Sequence, residues 1–191
     1  MRATLVTIVL AGALVAGVAA SEAGAASRHH RRRSVSHAHR HAAVKRPSQR
    51  QIARAVARAE RSANLWATIN ICSAGRVGIR GQMPTLGFAA TLAMQVQVRY
   101  WSAAKRRFMP ISASSASASL ALGQQANGLQ QGGEVFPFST KSRAVLDATI
   151  DFTWTVSGKV VGTAVRQTTA GHTGADYGSP PGYSAAQCTV G

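Results

Sequence analysis

The chain has 191 residues, with 22 Arg and Lys against 6 Asp and Glu, a formal net charge of +16 and two cysteines. So few acids make paired-carboxylate catalysis a poor prospect, and two cysteines fall short of the four ligands a structural zinc takes. The charge is uneven: residues 28–61 hold eleven Arg and Lys against Glu60 alone, while residues 62–191 hold ten against Glu134, Asp147, Asp151 and Asp176.

Met1-Arg2 followed by TLVTIVLAGALVAGVAA has the basic n-region and apolar run of a secretory signal peptide, with small-residue cleavage sites after Ala20 or Ala25. The rival is an uncleaved anchor, because the run approaches bilayer-spanning length. Alanine and glycine are poor membrane formers, so residues 1–25 are expected to be removed. The protein is then secreted, free in the extracellular space or associated with the cell surface.

Residues 26–47 contain only Val35 and Val44 as large apolar side chains and are expected to form a disordered His/Arg-rich linker. Arg28, Arg31, Arg32, Arg33, Arg40, Lys45 and Arg46 form an electrostatic footprint for anionic partners. No aromatic residue interleaves them, so specific nucleic-acid recognition is not expected. For an exported chain the expected partners are anionic cell-envelope polymers or the membrane surface. His37, His39 and His41 alternate, which puts them on one side of an extended chain and makes them weak metal candidates. The surrounding cations oppose a metal ion, so neither a metal site nor a cofactor is expected.

PSQRQIARAVARAERSA predicts a short amphipathic basic helix over 48–62, with Ser48 and Gln51 as a capping box. Ile52, Ala55, Val56 and Ala59 form a narrow apolar stripe, and Arg50, Arg54, Arg58 and Arg61 occupy other faces. About four turns are marginal alone. The expectation is a frayed lead into the domain, the alternative a membrane-surface or partner-binding helix.

From residue 65 the period changes to two. LWATINIC and VGIRGQMP read as strands, and TLAMQVQVRYW alternates Leu92, Met94, Val96, Val98 and Tyr100 against polar neighbours. A turn through Lys105-Arg106-Arg107 makes a hairpin with FMPI. ISASSASASLALGQQANGLQQGG is poor in large side chains and reads as a long loop containing at most one weak edge strand. EVFPF resumes β-structure, with Pro137 marking an edge. AVLDATIDFTWTV puts Leu146, Ala148, Ile150, Phe152, Trp154 and Val156 on one face and Asp147 and Asp151 on an exposed one. Ser157-Gly158 turns it into KVVGTAVRQTT, and YSAAQCTV ends the chain. Residues 63–191 are therefore expected to be an all-β, antiparallel β-sandwich of immunoglobulin-like type with about seven or eight strands.

Cys72 and Cys188 have one intramolecular pairing available, first strand to last, with buried free thiols as the alternative. Cys72 shares parity with Trp66, Thr68 and Asn70, which places it past the strand end or after a bulge. ATINIC, VGIRGQMP and QTTAGHTGADYGSPPGYSAAQC resemble a set of uncharacterised secreted single-disulfide β-sandwich proteins of high-GC Gram-positive bacteria, over about residues 65–190. The resemblance implies export, the disulfide and the sandwich, and brings no catalytic or ligand residues.

Catalytic chemistry has weak support. His172 and Asp176 have the residue types of a base–orienter pair but lack a nucleophile-elbow motif. Trp154 reads as core; Trp66 and Trp101, on the opposite parity, read as a carbohydrate-type platform or as rim packing. The expected function is a non-catalytic binding module whose basic arm contacts anionic envelope polymers or lipids. The alternative is a carbohydrate- or protein-binding sandwich acting through loop 170–182, with Trp66, Trp101, His172, Asp176 and Tyr183 as ligand surface and the arm as spacer.

Overall fold

A computed structural model describes residues 46–138 and 142–191. It contains one helix, α1 (Gln49–Glu60), then β1 (Trp66–Ser73), β2 (Arg76–Pro84), β3 (Ala90–Ser102), β4 (Arg107–Pro110), β5 (Ser117–Gln125), β6 (Leu129–Pro137), β7 (Ala144–Val156), β8 (Lys159–Gln167) and β9 (Cys188–Val190). The strands form two antiparallel sheets packed face to face, the sandwich the alternation predicts. One sheet has the order β1-β2-β6. The other is built on the two 13-residue strands β3 and β7. β4 and β5 share the free edge of β3, and β8 and β9 share that of β7.

The core lies between the sheets. Leu92, Met94, Val96 and Val98 of β3 and Leu146, Ala148, Ile150, Phe152 and Trp154 of β7 meet Ala67, Ile69, Val77, Ile79 and Phe136. The Trp154 indole Nε1 donates to the Pro84 carbonyl at 2.9 Å, so the largest core side chain leaves no polar atom unpaired. The helix belongs to this core: Ile52, Ala55, Val56 and Ala59 are buried, and α1 packs on β8. A Cβ on Gly162 would meet the Val56 Cγ1 at 2.4 Å, so glycine at this point of β8 admits the helix.

Two expectations need correction. The region read as a long loop with one weak edge strand contains β5, which does lie at an edge, and also the first five residues of β6, and among the described residues the strands number nine. β5 puts only Ala118, Leu120 and Leu122 against the core margin and leaves its other side chains polar or small. β6 carries Gly132-Gly133 because a Cβ on Gly132 would meet the Leu122 side chain at 2.6 Å and β2 passes too close to Gly133. A Cβ on Gly133 would lie 2.1 Å from the Ile79 carbonyl oxygen. Pro137 does end an edge strand. Asp147 is not on an exposed surface: it is 0% accessible and ion-paired with Arg99, its cross-strand partner.

Cys72 and Cys188 are disulfide-bonded, joining the two sheets across a sequence separation of 116. The parity of Cys72 is resolved by a bulge: the β1–β2 register shifts between Ile69 and Ile71. A Cβ on Gly78 would meet the Asn70 Oδ1 at 2.7 Å, so that glycine makes room for the bulge. Closing so long a loop lowers unfolded-state entropy by the equivalent of roughly 4–5 kcal/mol in the chain-entropy estimate, before native strain is subtracted.

Gly133→Ala is therefore expected to destabilise the domain by about 2 kcal/mol or more, since a backbone carbonyl cannot yield as a side chain can. Gly75→Ala, with nothing within 4 Å, is the control and changes little. Paired thermal or urea denaturation checks both. Cys72→Ser with Cys188→Ser is expected to lower unfolding free energy by about 2–5 kcal/mol, read by the same denaturation under non-reducing conditions.

Candidate functional site

β1 has cover on both sides. Ala67 and Ile69 face the core, yet Thr68 and Asn70, pointing away from it, are also buried. The cover is the segment 168–187, laid along β1 and tied down at intervals. Thr169 N donates to the Ala67 carbonyl at 2.8 Å, Ile69 and Ala185 exchange backbone bonds of 2.9 and 3.0 Å, and Ser179 N donates to the Asn70 carbonyl at 2.8 Å. Side chains of the sheet complete the attachment. Asn70 Nδ2 donates to the Asp176 carbonyl at 2.8 Å, and the Thr68 and Ser184 hydroxyls bond at 2.7 Å. Gln131 donates to the Gly174 carbonyl at 3.0 Å and accepts from the Asp176 amide at 2.9 Å.

Several candidate ligand residues are thereby committed to structure. Trp66 is only 8% exposed and stacks on the His172 ring at 4.6 Å and 13°, so it forms no open platform with Trp101. The His172 Nε2 shares a 2.8 Å hydrogen bond with the Thr169 hydroxyl, not with Asp176, so the base–orienter pair is not assembled. Tyr183 is half-buried against the core. Tyr177, which sequence reasoning passed over, is 81% exposed at φ +57 and lies 5.0 Å from the Arg80 guanidinium. Burial lowers the Arg80 pKa, with Asp176, Tyr177 and Glu134 opposing that shift.

The second surface is α1. Its buried stripe turns Arg50, Arg54, Arg58 and Arg61 outward, all exposed. Among the described residues the one ion pair is Arg99–Asp147, so none of this row is ion-paired, and Glu60 is the single acid on the helix. Arg46 and Lys159 line a cleft of ≈540 Å³ between the start of α1 and the β7–β8 turn, walled by Ile52, Val156 and Val160. Arg166 is engaged, its guanidinium donating to the Glu60 carbonyl at the end of α1. Of the predicted anion-binding arm, Arg46 is described and exposed, while Arg28, Arg31, Arg32, Arg33, Arg40 and Lys45 lie outside the described residues, as do His37, His39 and His41. Among the described residues no cluster of three metal-ligating side chains occurs, and no helix is long and apolar enough to cross a membrane.

The third surface is the outer face of the six-stranded sheet. Trp101 is 45% exposed and packs edge-on to Phe108 of β4 at 5.2 Å. Arg99 beside it holds Asp147 through bonds of 2.9 and 2.6 Å, and Gln167 Nε2 adds a third at 2.7 Å.

No protein-family model and no curated protein matches the chain. Among solved structures it is similar to a glycosyl hydrolase family 2 member from Bacteroides cellulosilyticus, at 5% identity and TM-score 0.32, over 55% of this chain and 14% of that one. It is similar also to a putative β-galactosidase from Bacteroides fragilis, at 13% identity and TM-score 0.32, over 56% of this chain and 16% of that one. Each match therefore spans less than a fifth of the larger protein, and at these scores neither likeness carries a functional argument.

His172 supplies a pH test. Its burial lowers its pKa from the ordinary value near 6.5. The unfolded chain then binds the proton more readily, so the contribution is complete above about pH 6.5 and is lost as pH falls below it. The melting temperature is expected to drop between about pH 7.5 and 5.5, a window in which carboxylates of ordinary pKa stay ionised. His172→Gln should flatten that drop, as differential scanning fluorimetry across the window will show.

Proposed function

We propose that this is an exported, non-catalytic module that associates with anionic polymers of the cell envelope, and that α1 is part of the contact. The observation that carries the reading is the outward row Arg50, Arg54, Arg58 and Arg61, none of it ion-paired, on a helix and its C-cap whose apolar face is already buried against the sandwich. A free amphipathic helix could insert its apolar stripe into lipid. With that stripe enclosed, attraction must be electrostatic, with counterion release supplying affinity. The row begins a few residues after Arg46, so the basic arm and the helix form one charged tract in sequence. The disulfide supports an oxidising compartment. The engagement of His172 by Trp66 and Thr169 supports a non-catalytic reading.

A second reading, ligand capture by loop 170–182, draws on Tyr177. A non-glycine residue held at positive φ with its ring in solvent is uncommon and is found disproportionately at functional sites.

The exported chain should bind inorganic polyphosphate and phosphatidylglycerol vesicles, with affinity falling linearly on a log–log salt plot. A variant carrying Arg50→Gln, Arg54→Gln, Arg58→Gln and Arg61→Gln should reduce the slope by about 2–3 and keep or raise its melting temperature, since like charges four residues apart repel. Stronger binding to polyphosphate than to vesicles assigns the polymer, and the reverse assigns the lipid surface. Salt-insensitive binding, or a variant that binds as the parent does, overturns the reading. Loss of binding in Tyr177→Ala with the arginines intact supports the loop instead.

A further inference from the structure

At one end of the outer sheet face, side chains of β4, β3 and β7 and of the residue before β9 come together. Phe108 of β4 pairs with Trp101 of β3. Beyond Trp101 the same outward parity continues through Val145 of β7, whose partner on β9 is Thr189, and Gln187 lies two residues before Thr189. Phe108, Trp101, Val145 and Gln187 line a cleft of ≈270 Å³. Its walls are fixed from below: Arg99 is clamped to the inaccessible Asp147, and its guanidinium lies 5.7 Å from the Phe108 ring, which in turn braces Trp101.

Three properties select the occupant. The four lining side chains carry no charge and Arg99 beside them is paired with Asp147, so the contact itself is neutral, although Lys105, Arg106 and Arg107 stand exposed on the adjoining β3–β4 turn. Its volume falls just below the roughly 300–1,000 Å³ of sites that enclose drug-sized ligands, which suits one ring and not a helix or folded partner. It offers an indole for an apolar surface and the exposed Gln187 amide for hydroxyls. A pyranose with axial C–H groups on one face and equatorial hydroxyls around its edge presents the complementary pattern. We propose that this cleft binds a neutral β-linked glycan, one sugar ring lying on Trp101 and its hydroxyls meeting Gln187. The inference goes beyond the electrostatic reading and does not depend on it.

The exported chain would be titrated with cellotetraose and chitotetraose. Trp66 and Trp154 are buried, so a fluorescence change reports Trp101. A saturable change with a dissociation constant of about 0.1–1 mM is expected for at least one tetraose. By calorimetry, Trp101→Ala and Phe108→Ala, confirmed folded by circular dichroism, should bind about tenfold more weakly or worse. Tyr177→Ala and the four-arginine variant should bind as the parent does. Absence of binding to either sugar up to about 10 mM overturns the proposal. Unchanged affinity in both aromatic variants overturns it equally, and an equal loss in Tyr177→Ala moves the site to the loop.

Discussion

Thr68 and Asn70 point away from the sandwich core and still meet almost no solvent, so their polar groups need partners from the protein itself. That constraint organises one whole side of the molecule. The segment 168–187 answers it with backbone bonds to Ala67, Ile69 and Asn70 and with side-chain bonds to Thr68 and Asn70. In doing so it becomes a third layer over the three-stranded sheet, although nearly all of it lies outside regular structure. Its length and its glycines and prolines suggest a mobile loop by composition. Its hydrogen bonding makes it a fixed cover, with Tyr177 as the one large apolar side chain left outside.

The same logic separates the surfaces. α1 uses its apolar stripe on β8, where Gly162 lets Val56 approach, and what remains outward is charge. On the outer face of the six-stranded sheet Arg99 is paired with the buried Asp147, and Trp101 stays exposed beside it. The α1 arginines and Trp101 thus stand on separate elements, each held by packing that the other does not share.

Period-two patterning made β3 and β7 legible residue by residue, because each has one fully apolar face. The capping box made the helix start legible, and the parity conflict at Cys72 left a strand end or a bulge open, of which the bulge is the one found. What escaped was set by partners distant in sequence. β5 is half-exposed with few large side chains, and β6 has Gly132-Gly133 where Leu122 and the β2 backbone crowd it, and both read as loop when taken alone. Asp147 looked solvated because parity assigns a face and says nothing of Arg99 opposite. Trp66 and Trp101 share a parity, and only the covering segment a hundred residues downstream tells the enclosed one from the open one. Phe108 could be placed beside Trp101 from the hairpin alone. Val145 and Gln187 could not, since that requires the register of β7 and β9.

The bond between Cys72 and Cys188 has a consequence outside folding. It joins the first strand of the sandwich to the last, so every loop from β2 to β8 lies inside one covalent ring. A protease that cuts any single one of those loops opens the ring but does not divide the domain. Both fragments stay linked, with the paired strands still in place to hold the cut ends. Such a protein survives a first nick in any of these loops as one covalent unit, and it takes a second cut within the ring, or reduction of the disulfide, before a piece can leave.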